Sequence, residues 1–61
     1  MSFDQYQEAA QFMRRGNLGG FAAAIGDAYL LADPGNKDRL RRSFATLFLR
    51  AYNLTRLPLE A

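Results

Sequence analysis

Apolar residues recur with the 3.6-residue period of an α-helix along three segments of the chain. β-Branched residues, which are typical of strands, are few, and the sequence contains no valine. We therefore expect one all-α domain over residues 1–61, a small three-helix domain with helices at about 3–15, 20–32 and 34–53. The second helix is expected to be central and the third the longest. Pro58 stops further helix, which predicts an extended C-terminal tail.

Local signals mark the expected helix ends. Ser2 followed by Gln5 is a capping-box pattern, and Gly16 suits the C-terminal end of the first helix. Asp33 and Pro34 are typical of an N-cap and a first helical position, so they predict the start of the third helix. Three glycines within residues 16–20 indicate backbone with positive φ or a close helix crossing.

The first two helices differ in the amount of apolar surface that they carry. The apolar side of the first helix contains Phe3, Tyr6, Ala9, Ala10 and Met13. Phe12 lies off this stripe and is a candidate for an exposed contact. The second helix is apolar nearly all round, with Asp27 as its only charge, which predicts that it is buried on most sides.

The third helix has an unusually wide apolar face. On a helical wheel the face covers an arc of roughly 220°, whereas a surface helix needs little more than about 100° to cover one core. Its members are Leu40, Phe44, Ala45, Leu47, Phe48, Leu49, Ala51, Tyr52 and Leu54. A chain of 61 residues has little mass to cover such an arc. Either the helix is sandwiched inside the fold, or part of its face meets another molecule.

Composition narrows the function. The sequence has no Cys and no His, which removes the usual thiol nucleophile, the commonest metal ligand and the commonest acid–base residue. We therefore expect no enzymatic activity, no cofactor, no metal and no small-molecule substrate. A domain this short is marginally stable without disulfides or metal, so association with a protein partner or with a second copy is the expected support.

Charge is unevenly distributed along the chain. Residues 1–30 carry three acidic and two basic side chains, and residues 31–61 carry three acidic and six basic ones, for a net charge of +2. The basic surplus on the third helix has three interpretations: a solvated face, a surface for an acidic protein, or a phosphate-binding patch. The last would make the chain a nucleic-acid-binding accessory protein that uses Lys37, Arg39, Arg42 and Arg50.

The outer side of the third helix is the expected partner-binding surface. It contains Arg41 and Arg42 together with Leu49 and Tyr52. An arginine beside aromatic residues is typical of an interface anchor. No apolar run approaches the length of a membrane span, and the first residues lack the pattern of a signal peptide, so we expect a cytoplasmic protein without membrane contact.

One part of the chain resembles a known group of proteins. The stretches Phe21-Ala-Ala-Ala-Ile-Gly-Asp-Ala-Tyr29, Ala32-Asp33-Pro34-Gly-Asn36-Lys-Asp-Arg39-Leu40 and Ser43-Phe44-Ala-Thr-Leu47-Phe48 resemble a pattern in short uncharacterised helical proteins of bacteriophages and other mobile elements. The resemblance carries no catalytic motif. It implies a bacterial host cytoplasm and a protein that occludes a bacterial protein complex, as phage-type inhibitors or modulators of the anti-CRISPR and other anti-defence classes do.

Three hypotheses therefore follow from the sequence. The first is a non-enzymatic protein-binding module of the inhibitor type. The second is the nucleic-acid-binding accessory protein, whose affinity would fall steeply with salt. The third is a structural homo-oligomer, most simply a homodimer, in which the wide face of the third helix closes on its symmetry mate.

Overall fold

The computed structural model describes residues 1–56, which contain four α-helices and no β-strand. The helices are α1 (Phe3–Arg14), α2 (Gly20–Leu31), α3 (Pro34–Ser43) and α4 (Ala45–Thr55). The all-α class is confirmed. The predicted tail around Pro58 lies outside the described residues.

The local signals set the helix ends as expected. The Gln5 backbone N–H donates to Ser2 Oγ at 3.2 Å, and the Ser2 N–H donates to Gln5 Oε1 at 2.7 Å, which completes the capping box. The Asn36 backbone N–H donates to Asp33 Oδ1 at 2.8 Å, so Asp33 caps α3. The connection between α1 and α2 uses two glycines with positive φ, Gly16 at 89° and Gly19 at 95°.

The prediction of one helix at 34–53 is wrong, because the helix is broken at Phe44. Phe44 has φ −123° and ψ 35°, outside the helical region, and separates α3 from α4. An unbroken helix over the residues of α3 and α4 would be about 33 Å long. The break instead lets α3 pack against α2 while α4 packs against α1. The ring of Phe44 meets that of Phe21 edge-on, with 5.7 Å between centroids.

The central helix is α1 and not, as expected, α2. α1 packs against both α2 and α4, and it supplies the buried residues Ala9, Ala10 and Met13. α4 contributes the buried residues Phe48 and Ala51.

The expectation that α2 is buried on most sides is also wrong. α2 buries one face, made of Ala22, Gly26 and Tyr29, and exposes most of the rest. The physical reason is the small size of the chain: α1 covers one side of α2, and residues of α3 contact α2 at Tyr29, near its C-terminal end. Two expectations for single residues change as well. Phe3, expected on the apolar side of the first helix, is 59% exposed, and Phe12, a candidate for an exposed contact, is half-buried against the core.

Small residues bring α1 and α2 unusually close together. A Cβ atom placed on Gly26 would lie 2.5 Å from the Ala10 carbonyl oxygen and 2.9 Å from Met13 Cβ. Three aromatic rings pack together beside this crossing. The centroid of the Phe48 ring lies 5.1 Å from that of Tyr29 and 5.5 Å from that of Tyr6, and both pairs meet nearly edge-on.

None of the helices within residues 1–56 combines the length and the apolar character that a membrane span requires.

Candidate protein-binding groove

Arg41, one of the four expected partner-binding residues, points into the fold. Its Nη1 donates to the Tyr29 hydroxyl at 3.1 Å, and its guanidinium lies 5.5 Å from the centre of the Tyr6 ring. Nη2 also contacts Asp38 Oδ1 at 3.4 Å. The hydrogen bond to Tyr29 raises the pKa of Arg41 above its usual value, with a smaller contribution from the charge of Asp38.

Tyr52, the second of these residues, is also engaged within the fold. Its hydroxyl accepts a hydrogen bond from Gln5 Nε2 at 3.1 Å, and the Arg56 guanidinium lies 4.7 Å from the ring centre. Arg56 in turn pairs with Glu8 at 2.9 Å. These contacts hold the C-terminal half of α4 on the N-terminal half of α1.

Arg42 and Leu49 are the two expected residues that face outward. The Arg42 side chain is 73% exposed and pairs with Asp38 at 2.9 Å, and Leu49 is 50% exposed. The structure thus divides the expected set into an inward pair, Arg41 and Tyr52, and an outward pair.

The outward residues line two adjoining hollows on the free side of α4. The first, of about 470 Å³, has walls that include Phe21, Arg42, Phe44, Thr46, Leu47 and Arg50. The second, of about 340 Å³, is lined by Thr46, Leu49, Arg50, Asn53 and Leu54. Because Thr46 and Arg50 belong to both, the hollows form one surface, which we name the α4 groove.

The α4 groove is apolar with a basic rim. Phe21 is 66% exposed at its entrance. The lining contains no acidic side chain, whereas Arg42 and Arg50 both contribute to it. Within residues 1–56, Arg50 forms no ion pair. The groove therefore offers apolar surface together with the positive charge of Arg50, which no acidic side chain within residues 1–56 pairs with, and that of Arg42, which is shared with Asp38.

The residues of the nucleic-acid hypothesis do not form one strip. The Lys37 amine lies over two rings, 4.8 Å from the centre of Tyr29 and 5.3 Å from that of Phe3. Arg39 borders a separate hollow between α2 and α3. Arg42 and Arg50 lie on the α4 groove, so the four basic side chains occupy three separate places on the surface.

Sequence reasoning misses the aromatic wall of the groove. The hydrophobic pattern places Phe21 in a buried helix and Phe44 in the middle of a continuous one. The pairing of these residues is a long-range contact, and no local signal in the sequence indicates it.

Residues 1–56 contain no group of three or more acidic side chains placed to hold a metal ion. Comparison with protein-family models, with curated proteins and with solved structures gives no match to this chain. The groove itself is therefore the basis for any functional assignment.

The inward position of Arg41 leads to a prediction about stability. We expect Arg41→Ala to lower the free energy of unfolding by about 1–2 kcal/mol, because it removes a charged hydrogen bond and a cation–π contact. The matched variant Arg42→Ala loses only an exposed ion pair, so we expect it to change the free energy of unfolding by less than about 0.5 kcal/mol. Urea denaturation followed by circular dichroism measures both. Equal effects of the two substitutions would contradict the structural role of Arg41.

Proposed function

We propose that this protein is a non-enzymatic protein-binding module and that the α4 groove docks an acidic amphipathic helix of its partner. The observation that carries the proposal is the combination of exposed apolar walls with a basic rim that contains no acid. Apolar side chains of the partner would cover Phe21 and Leu49, and its carboxylates would meet Arg42 and Arg50.

The geometry of α4 suits a helical partner. α4 has 11 residues and is about 16 Å long, which matches roughly three turns of a second helix. Arg42 lies at the end of α3 and Arg50 in α4, and both border the first hollow of the groove, so carboxylates of one partner helix can meet both. Aromatic and arginine side chains are the residue types enriched at such interfaces.

The biological setting is also part of the proposal. The resemblance of residues 21–48 to short phage proteins supports an inhibitor or modulator that acts by occluding a bacterial protein complex in the host cytoplasm. The absence of His and Cys from the sequence supports a binding role over catalysis, because the commonest general base and the strongest side-chain nucleophile are missing.

Synthetic peptides test the proposal directly. The probe is a helical peptide of about 15 residues with leucines on one face and glutamates flanking them. We expect it to bind with micromolar affinity, and we expect Arg50→Glu to weaken binding at least tenfold, because the substitution places a negative charge on the rim. The matched control is Arg15→Glu, which makes the same charge change at an exposed residue of the α1–α2 connection. Isothermal titration calorimetry measures each affinity.

Two further probes distinguish the alternatives. A peptide with Gln in place of each Glu is expected to bind more weakly, and one with Lys is expected not to bind. Equal binding of all three peptides, or equal losses in the two arginine variants, would refute the groove. Tighter binding to a DNA duplex than to the acidic peptide, with a steep loss on adding salt, would favour the nucleic-acid hypothesis instead.

A further inference from the structure

Helix α2 carries a second apolar face that stays mostly exposed within residues 1–56, although Phe21 contacts Phe44 and Leu31 borders α3 at a hollow. Its buried face is formed by Ala22, Gly26 and Tyr29. On nearly the opposite side lie four exposed apolar residues, Phe21, Ala24, Ala28 and Leu31. We name these four residues the α2 seam.

The spacing and exposure of the α2 seam are those of a helix–helix interface. Its members are separated by three, four and three residues, the spacing at which one helix presents a continuous ridge to another. Phe21 is 66% exposed and Leu31 is 79% exposed, the largest value among the large apolar residues of the described chain. The only charge on α2, Asp27, is paired with Arg14 of the same chain at 3.5 Å.

We infer that a second copy of this chain covers the α2 seam, with the two α2 helices antiparallel about a two-fold axis near Gly26. A two-fold interface must be complementary to itself. The side chains of the seam, taken in order from either end, are large, small, small and large. In an antiparallel pair Ala24 faces Ala28 of the second copy, and Phe21 faces Leu31.

The pattern of side-chain sizes fits two helices that cross at an angle. Crossing helices are closest at the centre, where the two alanines permit close approach, and they diverge towards the ends, where bulky side chains fill the space. A hollow of about 380 Å³ lies beside Leu31, with Ala28 and Leu40 among its walls. The antiparallel arrangement places Phe21 of the second copy at this hollow.

The distribution of charged residues favours the α2 seam over the α4 groove as the surface for self-association. Two copies that met through the α4 groove would bring one basic rim against another. The seam itself carries no charge, and its neighbouring Asp27 is balanced by Arg14. The hollow beside Leu31 contains one cation, Arg39, but the antiparallel arrangement places the two hollows at opposite ends of the helix pair. The inference goes beyond the proposed function, and because both surfaces contain Phe21, a second copy on the seam and a partner helix in the groove would compete for that side chain.

The area of the seam sets the expected strength of the dimer. A standard interface buries about 800 Å² per partner, which is about a fifth of the 4142 Å² surface of this chain. The seam has four residues on a helix about 18 Å long, fewer than the roughly 20–30 residues that each partner contributes to a standard interface. We therefore expect a micromolar dimer that dissociates on dilution.

Analytical ultracentrifugation from 1 to 500 µM tests the dimer. The wild-type mass is expected to rise from that of a monomer to that of a dimer, and Ala28→Glu is expected to weaken association at least tenfold, because it buries a charge at the centre of the seam. Gln11→Glu adds the same charge at an exposed position on α1 and is expected to associate like the wild type. Ala28 is exposed in the monomer, so circular dichroism should show the same helix content in both variants. A wild-type monomer at every concentration, or an Ala28→Glu variant that associates as strongly as the wild type, would overturn the inference.

Cross-linking tests the antiparallel orientation, since the sequence contains no cysteine that could interfere. In the antiparallel pair, position 21 of one copy lies level with position 31 of the other. The two copies of position 21 are about 15 Å apart along the helix axes, and so are the two copies of position 31. Disulfide formation should therefore require a mixture of the Phe21→Cys and Leu31→Cys variants. Efficient cross-linking of the Leu31→Cys variant alone would contradict the arrangement.

Discussion

Gly26→Ala is expected to lower the free energy of unfolding by at least about 2 kcal/mol. Alanine favours an isolated helix over glycine by about 1 kcal/mol, so a rise in stability would be expected if the position were open. Here the added methyl group would lie 2.5 Å from the Ala10 carbonyl oxygen and 2.9 Å from the Arg14 backbone nitrogen. Backbone atoms cannot rotate away, so α1 and α2 must move apart and lose packing along the whole crossing.

The chain provides its own control for this prediction. Gly20 is also in α2 and does not have positive φ, and a methyl group added there would meet no atom within 4 Å. Gly20→Ala is therefore expected to leave stability unchanged or to raise it slightly. Urea denaturation followed by circular dichroism measures both variants. A Gly26→Ala variant as stable as Gly20→Ala would show that the close crossing of α1 and α2 is wrong.

Phe48→Ala is expected to have the largest effect of any single substitution considered, a loss of about 3–5 kcal/mol. Phe48 has no exposed surface, and its ring packs edge-on against Tyr6 and Tyr29. Removing the ring leaves a cavity where α1, α2 and α4 meet. Because small domains have only a few kcal/mol of stability in total, we expect the variant to be largely unfolded at 25 °C.

Leu49→Ala is the matched control for Phe48→Ala, because the two residues are neighbours on α4 with opposite burial. Leu49 is 50% exposed, so its truncation is expected to change stability by less than about 1 kcal/mol. Near-ultraviolet and far-ultraviolet circular dichroism report the loss of packing and of helix. A cooperatively folded Phe48→Ala variant with near-wild-type stability would contradict the aromatic core.

The parts of the fold that the sequence predicts are those determined by nearby residues. The capping box at Ser2 and the Asp33–Pro34 start are formed by side chains that reach backbone groups within one turn. Their geometry is therefore encoded locally, and the bounds of α1 and α2 agree with the prediction to within one residue.

The break at Phe44 has no comparable local signal. Neither proline nor glycine lies near it, and its residues permit a continuous helix. The break arises from tertiary packing, which seats Phe44 against Phe21 and lets α3 and α4 contact different helices. Hydrophobic periodicity indicates which face of a helix is apolar, but it cannot indicate which neighbour will cover that face.

The same limit explains what could be predicted of the candidate site. The helical wheel places Leu49 and Arg42 on an outward surface, where the structure also has them, because nothing within the fold competes for them. It cannot show that the Tyr29 hydroxyl, twelve residues earlier, lies within reach of Arg41. Nor can it show that Gln5 of α1 donates to Tyr52.

Docking of an acidic amphipathic helix in the α4 groove is tested most directly by a titration followed by nuclear magnetic resonance. The ¹⁵N-labelled protein is titrated with the glutamate-rich peptide, and the backbone amide shifts are followed residue by residue. We predict that the largest shifts fall on Thr46, Leu49 and Arg50. Shifts concentrated at Gln11 of α1 and at Arg15 of the α1–α2 connection, or no saturable shifts at all, would contradict the proposed docking.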